Sequence, residues 1–121
     1  MNQKLKHPLL ASPSFIGNLE LKNRMVLAAM GSNFASDNGH TSEQLNAYYE
    51  ERARGGVGLI ILETSAITWP TGASMPNMIG FSKDEFIPDL RSLTQSIHQH
   101  GAKIAAQLNQ SGKIAQEDVI A

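Results

Sequence analysis

No cysteine occurs among the 121 residues, which removes disulfide frameworks, thiolate metal sites and cysteine nucleophiles and fits a reducing compartment. Net charge is nearly absent as well: ten Lys plus Arg stand against eleven Asp plus Glu, a formal -1. The chain therefore offers no basic surface for nucleic acid and no acidic tail. Long apolar runs are missing, and the most apolar stretch, residues 57–64, is too short to span a membrane. Residues 1–6 are polar and lead into Pro8-Leu9-Leu10-Ala11-Ser12-Pro13, so no apolar signal-peptide core follows the lysines. These absences predict a cytoplasmic protein with neither nucleic acid nor membrane as partner.

With 41% hydrophobic and 17% charged residues, the composition is that of one ordinary globular unit. Its centre is Val57-Gly58-Leu59-Ile60-Ile61-Leu62-Glu63-Thr64, apolar without period-2 alternation. Such a run predicts a strand covered on both faces, as in a parallel sheet packed by helices. Ligands of such folds sit at the carboxyl ends of the strands, so Glu63 and Thr64 point to a site.

Ahead of it, Ser14-Phe15-Ile16 and Leu19-Glu20-Leu21 flank Gly17-Asn18, a pair suited to the positive φ of a tight hairpin turn. Residues 25–30 predict the first core strand, ending in the small polar Gly31-Ser32-Asn33. Thr41 with Gln44 forms a capping-box pattern. Leu45, Tyr48, Tyr49 and Ala53 then share one helical face, and Gly55-Gly56 supplies the stop. After Thr64, residues 65–81 are rich in helix and strand breakers and too long for a plain connector, so they carry function or mobility. Ser82 with Glu85 repeats the capping pattern. Pro88 suits an early helical turn, Leu90, Leu93 and Ile97 form a buried stripe, and Gly101 ends the helix. Residues 103–108 predict the third core strand. Hairpin, strand, helix, strand, helix, strand make two βαβ units with right-handed crossovers. The expected core is Val26, Leu27, Leu45, Tyr49, Leu59, Ile61, Leu90, Leu93, Ile97, Ile104 and Ala106. Three strands are fewer than a closed barrel or a doubly wound sheet needs, so residues 1–121 read as a single partial domain.

Several chemical readings fall to plainer ones. Gly55-Gly56-Val57-Gly58 follows a helix and opens a strand, the reverse of a dinucleotide-binding loop, and reads as a helix stop. His98 and His100 diverge at i and i+2 and suit the helix dipole better than a shared metal. No metal site is signalled. Tyr48 and Tyr49 read as core and boundary aromatics, while Trp69 serves equally as a lid residue or as loop packing. What remains is three strand ends: Ala29-Met30-Gly31-Ser32-Asn33, Glu63-Thr64-Ser65, and Gln107 with Asn109-Gln110. Small and amide-bearing residues can hold the hydrogen-bonding edge of a flat ring, since an amide both donates and accepts. Polar residues that merely end strands remain the alternative.

Four segments carry a family resemblance: residues 21–26, Ala29-Met30-Gly31, residues 48–61, and residues 101–108. In that order and spacing the chain resembles the N-terminal part of the old yellow enzyme family of flavin-dependent oxidoreductases, including its 2,4-dienoyl-CoA reductase-like branch. The resemblance implies a (β/α)8 TIM barrel, of which this chain carries the N-terminal hairpin and the first β-α-β-α-β. It implies FMN bound at the strand ends by Ala29, Met30, Gly31, Thr64 and Gln107, with NAD(P)H as reductant and an enone or enoyl compound as hydride acceptor. Gly31 stands where many members carry Cys or Thr, and Gln110-Ser111-Gly112-Lys113 replaces the commoner His-Ala-Gly-Arg. The substrate-orienting His pair, the proton donor and the phosphate-binding segments of the later strands are absent, so no catalytic residue is expected in these 121 residues, which by themselves are expected to be inactive. Two alternatives stand beside this reading: a non-catalytic half-barrel that associates with itself or with a complementary chain, and another phosphate-binding (β/α)8 enzyme such as a lyase or aldolase, for which Glu63 is the one rim acid.

Overall fold

The computed structural model describes residues 6–115; the start of the polar N-terminal stretch and residues 116–121, where no complete element is expected, lie outside them. Strands β1 (Ser14–Ile16) and β2 (Leu19–Leu21) pair antiparallel as Ile16↔Leu19 around Gly17-Asn18. Gly17 alone of the pair has positive φ, 57°, the sign pattern of a II′ turn, in which glycine takes the first central position. The hairpin is fastened below the sheet: Lys22 Nζ donates to the His100 carbonyl at 2.6 Å and Asn23 Nδ2 to the Gly56 carbonyl at 2.7 Å.

Strand β4 (Leu59–Ala66) is the middle of a parallel sheet. Along one edge it pairs with β6 (Lys103–Asn109), Ile60 opposite Ile104. Along the other edge it pairs first with β3 (Val26–Leu27) and then, at Ser65 and Ala66, with β5 (Ile79–Gly80). The expected first core strand thus makes only two ladder pairs. The long segment 65–81 is more than a loop, because its end returns as β5 beside β4.

Helices α1 (Glu43–Arg54) and α2 (Ile87–Gln99) cover one face of this sheet. Leu45, Tyr49 and Ala53 of α1, Ile60 and Leu62 of β4, and Leu93 and Ile97 of α2 form the buried core, each large aliphatic contributing about 1.5–3 kcal/mol. Both capping patterns shift. Ser42, not Thr41, caps α1, accepting from Leu45 N at 3.1 Å. A short 3-10 turn, Asp84–Phe86, precedes α2 without a side-chain cap, and Ser82 Oγ accepts from Trp69 N instead. Gly55 and Gly56 stop α1, Gly56 at φ 104°, as the plainer reading of the glycine cluster has it. Pro88 lies in the first turn of α2.

Two expected core residues are corrected. Val26 is 49% exposed and Ala106 is exposed, while Leu27, Ile61, Leu90 and Ile104 are half-buried. Val26 lies on the face that the helices leave open, whereas Ala106 shares the helix-side face with Leu62 and Ile104 but stands on the edge strand β6, beyond the cover of α2 among the described residues.

Candidate functional site

The C-terminal end of β4 is set by a bulge at Glu63: Leu62 pairs with Ala106 and Thr64 with Gln107, leaving Glu63 without a partner in β6. One extra residue reverses the alternation of the strand. Thr64 therefore joins Ile61, Ala105 and Gln107 on the face away from the helices, and Glu63 turns beneath α1. The sequence placed both residues toward a site; the structure separates them. With Glu63 buried, the rim acid that a lyase or aldolase would use is withdrawn from the open face.

On the open face the Thr64 hydroxyl donates to Gln107 Oε1 at 3.0 Å. This bond orients the exposed amide and leaves both Gln107 N–H groups without a partner among the described residues. Across β4, the chain after β3 brings Ala29, half-buried, then Met30 and Gly31, both exposed. That segment is held at the β4 end because Ser32 N donates to Glu63 Oε2 at 2.8 Å. The arrangement fits a flat heterocycle: a directed donor pair on one strand end, an exposed segment without ladder partners on another, and an open face between them.

Gly31 has a local reason. A Cβ there would lie 2.7 Å from Met75 Cε and 3.3 Å from its sulfur, so a side chain from the long segment already fills the space. Asn77 clasps the same region, its N–H donating to Asn33 Oδ1 at 3.0 Å. Asn33 takes φ 59°, a left-handed conformation that Asn tolerates better than most residues. No sequence signal located Met75 or Asn77, beyond the unusual length of the segment that carries them. Trp69 packs with Ala66, Ala73 and Met78 and against Gly39, as loop packing. Gln110 lies against Gly72, so the loop after β6 packs on the long segment.

Behind the rim, Glu63 is fully buried. Tyr49 Oη accepts from Glu63 N at 3.0 Å and faces Glu63 Oε2 at 3.3 Å. Burial, and then the Glu63 charge, push the Tyr49 phenol above its ordinary range. Tyr48 is half-buried, edge-on to Phe34, with the Arg52 guanidinium over its ring. His100 meets Glu50 at 3.3 Å and His40 meets Asp89 at 2.5 Å. Among the described residues no three His, Cys, Asp or Glu side chains gather as a metal donor set, and no helix is long and apolar enough to cross a membrane.

A family model described as NADH:flavin oxidoreductase / NADH oxidase matches residues 10–121. The chain is 39% identical over 106 residues to an NADH oxidase of Thermoanaerobacter brockii, a match covering 88% of this chain and 16% of that protein. It is 38% identical over 116 residues to an NADPH dehydrogenase of Halalkalibacterium halodurans, covering 94% and 33%. Its fold matches the solved old yellow enzyme from Trypanosoma cruzi with a TM-score of 0.82 at 29% identity, covering 93% of this chain and 30% of that one. The chain thus spans 16% to 33% of the length of these two curated relatives.

Proposed function

The chain belongs to the NADH:flavin oxidoreductase / NADH oxidase family, and from that membership we propose that its rim holds part of an FMN within a (β/α)8 barrel acting as an ene-reductase. The family's cofactor is FMN, with NAD(P)H as reductant. In this reading the hairpin closes the lower end of the barrel and β3, β4 and β6 are its first three strands. When bound, FMN supplies hydride transfer from NAD(P)H to an alkene conjugated to a carbonyl; the alkene gains hydride and a proton, and NAD(P)H becomes NAD(P)+.

The residues of this chain bind and orient. The single observation carrying the proposal is the Thr64–Gln107 pair on the open face. Thr64 occupies the amide oxygen, which directs the Gln107 N–H groups toward acceptors on the pyrimidine edge of the ring. Ala29, Met30 and Gly31 would border the ring on the other side of β4. A donor so directed acts by position and by stabilising charge that develops on the ring edge.

The test is Gln107→Ala in the FMN-loaded protein. Loss of one directed hydrogen bond, about 0.5–1.5 kcal/mol, is expected to weaken FMN retention several-fold or to shift the flavin reduction midpoint. If bound-flavin absorbance and midpoint both stay unchanged, Gln107 is only a polar strand end.

A further inference from the structure

We infer that Glu63 is a positioning residue: from behind the sheet, its carboxylate fixes residues 29–31 against the C-terminal end of β4 by holding the Ser32 amide. The inference rests on the FMN reading for what that segment holds, but the anchor itself is testable without FMN.

The edge of β4 that faces β3 has a gap in its ladder. Leu59 and Ile60 pair with β3, Ser65 and Ala66 pair with β5, and neither strand pairs with the residues between. A buried strand leaves few polar groups unpaired, and here side chains take over. Glu63 N donates to Tyr49 Oη at 3.0 Å, while Glu63 Oε2 accepts the Ser32 amide at 2.8 Å. The bulge makes this possible, because without it Glu63 would share the open face with Ile61.

From Ser32 onward the chain is tied at three further points. Ser32 Oγ accepts from Phe34 N at 3.2 Å, Ser42 at the start of α1 donates to the Phe34 carbonyl, and Asn33 Oδ1 accepts from Asn77. Residues 28–31 have no ladder pair of their own. Beyond their covalent link to β3, which itself pairs with β4, they are attached to β4 through the Ser32–Glu63 bond, a charge-assisted bond. The other oxygen of Glu63, Oε1, is buried with no partner among the described residues, so the anchor runs through Oε2.

The experiment follows amide exchange at Ser32 and Glu63, with FMN titration by flavin fluorescence, in the parent and in Glu63→Ala, Glu63→Gln and Tyr49→Phe. Removing a buried bond to a charged group speeds local exchange about tenfold or more. Glu63→Ala is expected to lose Ser32 protection by that factor, and to lose FMN affinity in parallel. Glu63→Gln, which keeps an acceptor oxygen, is expected to restore both to within a few-fold of the parent. Tyr49→Phe, which also removes the hydroxyl that donates to Glu63 Oε2, is expected to speed exchange at Glu63 more than at Ser32. If Glu63→Ala fails to fold, Glu63→Gln and Tyr49→Phe decide. An unprotected Ser32 amide in the parent overturns the inference, and so does Ser32 exchange in Glu63→Gln that is as fast as in the unfolded chain. In the complete barrel, a parent that protects Ser32 but binds no FMN counts against the proposed function and leaves the anchor standing.

Discussion

At the residue scale, the Tyr49 phenol and Gly31 both bear on the rim. Tyr49 Oη accepts from the Glu63 N–H and donates to Glu63 Oε2. Tyr49→Phe leaves the buried Glu63 amide without its partner and is expected to cost about 1–3 kcal/mol. It also changes the pH dependence. The folded phenol sits above the unfolded value of 10.0, so the unfolded chain releases its proton first. That contribution to stability is complete below pH 10.0 and is lost as pH rises beyond it. Urea unfolding at pH 7 and in steps above pH 10 is expected to show this alkaline loss from Tyr49 in the parent and its absence in Tyr49→Phe. Gly31 makes a separate prediction. Gly31→Thr pushes aside the end of the flexible Met75 side chain and is expected to destabilise by under about 1 kcal/mol, with Met75→Ala recovering much of the loss. Additive effects in that double-mutant cycle would mean that Met75 yields freely and does not set the identity of residue 31.

At the element scale, the segment between β4 and α2 is held as firmly as a helix connection. Gly80 N donates to the Gly39 carbonyl at 2.9 Å and Phe81 N to the Ala66 carbonyl at 2.8 Å. A Cβ on Gly80 would meet the Phe86 ring at 2.5 Å, and Phe86 is fully buried. Gly80→Ala is therefore expected to cost about 1–3 kcal/mol by overpacking, read from the urea midpoint, and to loosen β5. Because Met75 and Asn77 precede β5 in the same segment, faster exchange at Asn77 should accompany the loss. Unchanged stability would show that the Phe86 ring shifts aside at no cost.

At the scale of the whole molecule, one face of the sheet is open. Val26 and Met30 are exposed by 49% and 56%, Leu108 at the β6 edge by 61%, and the hairpin exposes Phe15 and Ile16. Apolar grooves run along both outer edges, beside Val26 and Val57 at β3 and beside Ala105 and Ala106 at β6. Unpaired edges and uncovered apolar faces invite association. The 121 residues tested by themselves are accordingly expected to self-associate, to hold FMN weakly and to turn over no enone with NADPH. Size-exclusion chromatography, FMN titration and a cyclohexenone assay check this together. A monomer with tight stoichiometric FMN and flavin-dependent turnover would overturn it.

The sequence by itself determined the order of the elements, the parallel sheet and the family, because apolar periodicity and glycine stops are local and the matching segments lie along the chain. It also marked the rim, since polar strand ends are visible in order. Only the tertiary structure decided which way each rim residue faces. The bulge at Glu63 is a mismatch between two strands, so neither strand encodes it alone, and it exchanges Glu63 with Thr64 across the sheet. The contacts of Met75 with Gly31 and of Asn77 with Asn33 join positions more than forty residues apart, distances that no local pattern spans. Burial was overstated at Val26 and Ala106 for the same reason: an apolar side chain shows that it can be covered, and only its neighbours in space cover it.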